Sequence, residues 1–513
     1  MSRMWILLPA LAGSLMADGQ IGFVVHYDSV QSGLPGQPTS VAELSDGGFL
    51  LSGIQFSPGT TGQLHVLLRR TDQWGHAVSE SEVQGNDPWI YNNGTLGAMV
   101  KLDTGFAEGL TRYDPNGWAC DMMLYWFDEN GDTVRTRNLM SYTNTDSIVV
   151  QHRQTIRLAD GGFALGGFFD APDASAQALL VRTNANGDTT WTRKLGYQNQ
   201  AEEIWSLCEL PDHGFALSVV HSGGGPSDDH TLIRTDSMGH QLWRVQYGEY
   251  GQGVPSVRFS PDSTLITFSD HKMDLGSSAW QEIELRKWNL TGSLVWSRFS
   301  HRTPNSNTWP RDLEVLPDGT IITSIGYGRT AMIAKFDANG DSIWSRFYYV
   351  FSETNNYNEA IINDIDPTSD GGFVMCGWKI QDQGDPTDGL QTWFLIKTDS
   401  LGCGSPGCQT LGVNEFVIGL QEHLKIWPNP VAQGGTVNVE LSPPGGADLG
   451  PVKLVVQDVL GREVRRDVMV RTVNGVRTTF APSSGATHLA SGTYLLHLVS
   501  DGKWLAGEKL VIE

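Results

Sequence analysis

A phrase built on Asp and Gly returns seven times between residues 46 and 373 of this 513-residue chain. Its fullest copies read Ser45-Asp46-Gly47-Gly48-Phe49, Ala159-Asp160-Gly161-Gly162-Phe163 and Ser369-Asp370-Gly371-Gly372-Phe373. Shorter copies stand at Asp103-Thr104-Gly105-Phe106, Asp212-His213-Gly214-Phe215, Asp262-Ser263-Thr264-Leu265 and Asp318-Gly319-Thr320-Ile321. Successive Asp positions lie 57, 57, 52, 50, 56 and 52 residues apart. A steady period of this length marks an array of like supersecondary units.

The fourth repeat shows the unit most plainly. Ile204 to Leu210 alternates like a half-buried strand, Pro211-Asp212-His213-Gly214 turns, and Phe215 to Val220 reads as a second strand. A polar stretch from His221 to His230 leads to a third strand at Thr231 to Thr235. Asp236-Ser237-Met238-Gly239 turns the chain again into Leu242 to Tyr247. Four short antiparallel strands per period make the blade of a β-propeller.

The second turn recurs at Asp72, Asp128, Asn184, Asn289, Asp337 and Asp399, each followed three residues later by Gly. Four residues past that Gly stands Trp191, Trp243, Trp296 or Trp344, expected to pack between blades; the first two repeats carry Ser79 and Arg135 instead. Two residues before the turn stands a cation, Arg70, Arg182, Arg234, Lys287, Lys335 or Lys397, with Trp126 breaking the rule. Each cation is expected to bond the first-turn Asp of its own blade. The Asp128 to Asp132 and Asp337 to Asp341 turns lack the ligand number and terminal Glu of a calcium loop, so they read as Asx-assisted hairpins.

The seventh repeat ends at Gly402 without a fourth strand. Residues 18–27 match the Met238 to Tyr247 strand in Gly, aromatic and Tyr positions, so the N-terminal strand is expected to close the last blade. Closure removes an otherwise open sheet edge. The expected fold is therefore all-β: a seven-bladed propeller of four-stranded antiparallel blades over 18–402.

Other features set the compartment. Arg3, an apolar run from Met4 to Met16 and small residues up to Ala17 read as a cleaved signal peptide over 1–17. No segment reads as a membrane span. A net charge of −22 argues against nucleic acid, which needs a basic face. Cys403 and Cys408 flank the tight turn Gly404-Ser405-Pro406-Gly407, and a disulfide is expected there. Cys120, Cys208 and Cys376 sit in apolar strand patterns and are expected to be buried and unpaired.

After a linker over 403–420, six short strand patterns between Thr436 and Ile512 suggest a small Ig-like β-sandwich over 421–513. Pro428-Asn429-Pro430, the Asp458-Val459-Leu460-Gly461-Arg462 turn, Gly492-Thr493-Tyr494 and the Lys509 to Ile512 strand, in that order, carry a resemblance. This segment resembles the type A C-terminal sorting domain of the type IX secretion system. The resemblance implies export through the periplasm to the cell surface or the surroundings. Its implied partners are the secretion machinery and a sorting protease that usually removes the module.

No catalytic motif stands out, and no cofactor or metal site is expected. His26, His152, His230, His271 and His301 are scattered near expected loops or edges, and Glu202-Glu203 are sequence neighbours that seldom form a glycosidase pair. The ligand face of a propeller is the one carrying the inter-blade loops, which here hold the candidates Tyr142, Tyr250, Trp309, Tyr348 and Tyr357. The expected protein is a monomeric, non-enzymatic binding, adhesion or scaffold protein for glycan or protein ligands. The alternative is a polysaccharide-active hydrolase or lyase with its site at the channel mouth.

Overall fold

In the computed structural model, short strands separated by positive-φ turns pair within each repeat mainly with their chain neighbours, which makes a series of small sheets. The structure describes residues 22–27, 36–56, 64–83, 89–94, 97, 99–114, 119–143, 149–171, 174–196, 201–222, 228–251, 254–274, 279–304, 308–327, 330–350, 359–381, 390–404, 415–443, 448–459, 461–483 and 488–513. The expected leader over 1–17 and Cys408 lie outside these residues. Blade 4, for instance, runs Ala201–Glu209, Phe215–Ser222, Asp228–Thr235 and Gln241–Gly251. Blades 1, 3 and 5 repeat this four-stranded antiparallel order, and blade 2 splits its first strand into Ile90–Asn92 and Met99–Lys101.

Blade 7 is closed from the other end of the chain. Phe23–Tyr27 pairs antiparallel with Leu390–Thr398, setting Phe23 opposite Lys397 and Tyr27 opposite Trp393. The first strands of successive blades touch one another around a ring, and the last of them, Glu359–Pro367, packs against the first, Gly36–Glu43. The seven-bladed propeller closed by its N-terminal strand is the observed fold.

Both repeated turns use Asp as a backbone acceptor. In the second turn one side-chain oxygen accepts amides two and four residues on, as Asp128 does from Asn130 and Asp132 at 2.9 Å each. In the first turn Asp160 accepts Gly162 N at 2.9 Å with one oxygen and Arg182 at 2.7 Å with the other. The same division holds for Asp46 with Arg70 and Asp212 with Arg234, while Lys397 reaches both oxygens of Asp370, one of which also accepts Gly372 N. Lys287 likewise binds Asp262. In blade 2, Trp126 leaves Asp103 without a partner from its own third strand, and Arg157 of blade 3 grips it instead at 3.0 Å.

The core lies between blades. Each repeated Trp lies over the second-turn Gly of the next blade. An added Cβ at Gly239 would stand 2.7 Å from Trp191, at Gly340 2.7 Å from Trp296 and at Gly402 2.6 Å from Trp344. Phe23 takes that place over Gly75, which extends the lock across the closure. Blade 2 keeps it by exchange. Trp126 faces Arg135 across the strand pair, where blade 3 has Arg182 facing Trp191, and Trp126 covers Gly187.

Cys403 is disulfide-bonded, and Cys120, Cys208 and Cys376 are buried free thiols. Beyond Cys403 the chain forms a two-sheet sandwich. Lys453–Asp458, Glu463–Val468, Gly492–Ser500 and Lys503–Ile512 make one sheet; Leu424–Trp427, Val437–Leu441, Val470–Thr472 and Gly475–Phe480 make the other. Between Glu463–Val468 and Val470–Thr472, buried Met469 marks where the chain crosses between sheets. Part of the segment read as linker is itself a strand, Glu415–Ile418.

Two outcomes test this architecture. Deleting residues 18–27 is expected to lower the melting temperature sharply in calorimetry; an unchanged melt would contradict the closure. Gly340→Ala puts a side chain at φ +80° against Trp296, and is expected to destabilise by about 2–4 kcal/mol in denaturant titration.

Candidate functional site: the propeller channel

The first strand of each blade is an inner edge. Its outward side pairs with the second strand, and its other side faces the axis, so its remaining amides need partners from elsewhere. The neighbouring blade supplies them. Asp364 accepts Val41 N at 2.7 Å, Gln154 accepts Leu207 N at 2.8 Å, and Ser206 accepts Val257 N at 3.1 Å. Ser40 accepts Met99 N at 3.1 Å and Asp312 faces Ile365 N at 3.4 Å. All five acceptors sit six residues before their first-turn Asp, and all are buried. A register shift immediately precedes each of them, as between Pro310 and Asp312 or Ile362 and Asp364. The bulge turns this side chain toward the next blade. The sequence concealed the ring because only the position repeats, while the residue changes among Ser, Gln and Asp.

Charge gathers in blades 5 to 7. Arg258 reaches Asp312 at 2.9 Å, Glu314 at 2.8 Å and the Ser206 hydroxyl at 3.1 Å. Burial, then the charges of Asp312 and Asp366, pushes the Asp364 carboxyl well above the usual range. Asp366 is pushed up to about 8 by burial, then by Glu314 and Asp312. Near pH 7 Asp366 therefore holds a proton. Among the described residues no group of three His, Cys, Asp or Glu side chains is placed to hold a metal ion.

At the channel end away from the Asp turns, three indoles carry guanidinium groups. Arg112 lies 4.6 Å over Trp89, Arg153 4.2 Å over Trp205, and Arg311 5.8 Å from Trp309. The rings belong to the first strands, or their entries, in blades 2, 4 and 6. Arg112 comes from the second strand of blade 2, Arg153 from the first strand of blade 3 and Arg311 from the strand of Trp309 itself. All three rings are half-buried. Arg153 is held from behind by Glu203 at 2.8 Å. The indole Nε1 of Trp205 meets no acceptor among the described residues.

The sequence-derived candidates divide. Trp309 stands at this face beside Arg311. Tyr142 packs edge-on against Phe169 at 5.3 Å, between blades 2 and 3. Tyr348 does not belong to the face: it is wholly buried, stacked on Phe416 at 5.2 Å. Tyr357 and the side chain of Tyr250 lie outside the described residues. Trp205 was legible as an apolar strand residue but not as a channel residue, because the bulge that turns it is a tertiary feature.

The histidines correct the loop-or-edge expectation at two places. His152 and His230 are buried in the core, and burial pushes both imidazoles down to about 3, so they stay neutral. His26 pairs with Glu422 at 3.1 Å, and His271 packs on Phe299 at 5.4 Å. The side chain of His301 lies outside the described residues. Glu202 and Glu203 part as expected, toward Arg244 and Arg153.

In the sandwich, Asn429 bonds Lys509 O at 2.7 Å and accepts Val511 N at 3.0 Å, tying Pro428-Asn429-Pro430 to the last strand. Asp458 accepts Arg462 N at 3.0 Å across the turn that holds Gly461 at φ +73°. Tyr494, two residues after Gly492, donates to Ala490 O at 2.9 Å. Residues 425–513 match the secretion system C-terminal sorting domain. The protein is cargo of the type IX secretion system. This module marks it for export to the cell surface or the surroundings, and implies interaction with that machinery. Among the described residues no helix is long and apolar enough to cross a membrane.

No curated protein matches the chain. Solved propellers resemble the fold at low identity. The β-propeller domain of the Trilobed protease from Pyrococcus furiosus is 8% identical, covering 74% of this chain and 95% of its own, with a TM-score of 0.41. An α-L-arabinanase from Penicillium chrysogenum complexed with arabinobiose is 12% identical over 63% and 96%, TM-score 0.37. The Nup133 β-propeller domain of Vanderwaltozyma polyspora is 8% identical over 73% and 97%, TM-score 0.38.

The raised carboxyls give stability a definite pH trend. A folded pKa above the unfolded value adds stability in full below the unfolded value, about 4, and loses it as pH rises through the folded one. Between pH 4 and 9 the melting temperature is therefore expected to fall as Asp364 and Asp366 are forced to ionise. Asp366→Asn is expected to flatten that slope in thermal melts across pH; a slope that stays the same would remove Asp366 as its source.

Proposed function

We propose that this exported propeller is a non-enzymatic binding or scaffold protein, surface-displayed or released, whose channel face takes a glycan or protein ligand. The observation that carries this reading is the set of three Trp–Arg pairs around that face. A half-buried indole held by a guanidinium offers a rigid ring for stacking, and the cation beside it offers donors. At Trp205 the cation over the ring, Arg153, is itself anchored by a carboxylate. The channel carboxylates favour structure over catalysis: Asp312 and Asp364 accept backbone amides, and Glu314 binds Arg258.

The second reading is a hydrolase or lyase acting on polysaccharide at the channel mouth. It is favoured by the proton-holding Asp366 beside Glu314, a pairing of acid and carboxylate that such chemistry uses.

Glycan-array binding with the full chain lacking its leader separates the two. Saturable binding without turnover is expected, weakened by roughly tenfold or more in Trp205→Ala and in Trp309→Ala, the scale of a buried aromatic anchor. Release of shortened glycan would transfer the assignment to the enzyme, and Asp366→Asn should then abolish it.

A further inference from the structure

The outer edge of blade 6 is not open. Its fourth strand, Ser342–Val350, pairs in parallel with Glu415–Ile418, setting Phe347 opposite Glu415 and Val350 opposite Ile418. That strand in turn pairs in parallel with the last strand of the sorting module, at Lys503 and Trp504. Propeller and module thus share one nine-stranded sheet.

They also share a core. Phe416 is wholly buried, stacked on Tyr348 and 6.1 Å from Trp504. Val24 of the closing strand, Cys403, Val455 and Val499 belong to the same apolar cluster. Polar contacts frame it on three blades. His26 meets Glu422 at 3.1 Å on blade 7, Lys503 Nζ lies 4.9 Å over Tyr349 on blade 6, and Lys509 Nζ lies 5.7 Å from Trp74 on blade 1.

We infer that the outer edge of blade 6 is a holding site for the sorting module, which stays bound to the propeller after the chain between them is cut. Strand addition supplies main-chain hydrogen bonds, and the buried aromatics supply apolar area. Cutting removes only the tether and the effective concentration it provides. Departure would bare Tyr348, Phe416 and Trp504 and open two strand edges to water. Release after export therefore needs a second event that peels the strands apart. The inference rests on the packing of residues 415–513 and not on the ligand assigned to the channel.

A specific protease site placed within residues 409–413 of the full chain, without its leader, tests this. After complete cleavage, both pieces are expected in one native size-exclusion peak at the position of uncut protein, parting only in denaturant. Two native peaks would overturn the inference. Hydrogen exchange of the peptide 342–350 in uncut, unsubstituted protein gives an independent reading. Exchange at least a hundredfold slower than in a free peptide is expected across Phe347 to Val350. Free-chain rates there would equally overturn it.

Discussion

Seven inner strand edges converge on one axis, and their amides must find acceptors where no further strand fits. The solution is a ring of side chains, each borrowed from the preceding blade: Ser40, Gln154, Ser206, Asp312 and Asp364. At these five joints one blade completes its neighbour's hydrogen bonding, so the ring is cooperative: the inner-edge amide is satisfied only when the preceding blade is in place. The contact from Asp364 to Val41 joins the end of the array to its beginning. The antiparallel pairing of Phe23–Tyr27 repeats that join at the rim.

The same requirement shapes the electrostatics. Two of the ring acceptors are carboxylates, and placing Glu314 and Asp366 beside them crowds negative charge in a buried space that Arg258 only partly neutralises. Protons fill the difference, so perturbed carboxyls arise here from architecture. That is why a raised pKa in this channel does not by itself identify a catalytic acid. The aromatic end of the channel carries the guanidinium contacts instead, and it is the surface on which the proposed ligand site rests.

The sorting module is not a separate appendage to the propeller. Here its sheet continues blade 6, and its core reaches the strand that closes the ring. The module is seated beside the joint between first and last blades.

The sequence by itself determined the blade and its number, because local chemistry sets a turn. Asp and Gly at fixed spacing define both hairpins, and each cation stands two residues before its second turn. It also disclosed the closing strand, since Phe23 and Tyr27 repeat the positions of Trp243 and Tyr247. The order of motifs after Trp427 identified the module. Tertiary structure alone decided the ring of amide acceptors, the exchange of Trp126 with Arg135, the burial of Tyr348 and the joining of Glu415–Ile418 to blade 6. These depend on what a neighbouring blade or a distant strand presents, and contacts across such separations leave no period along the chain.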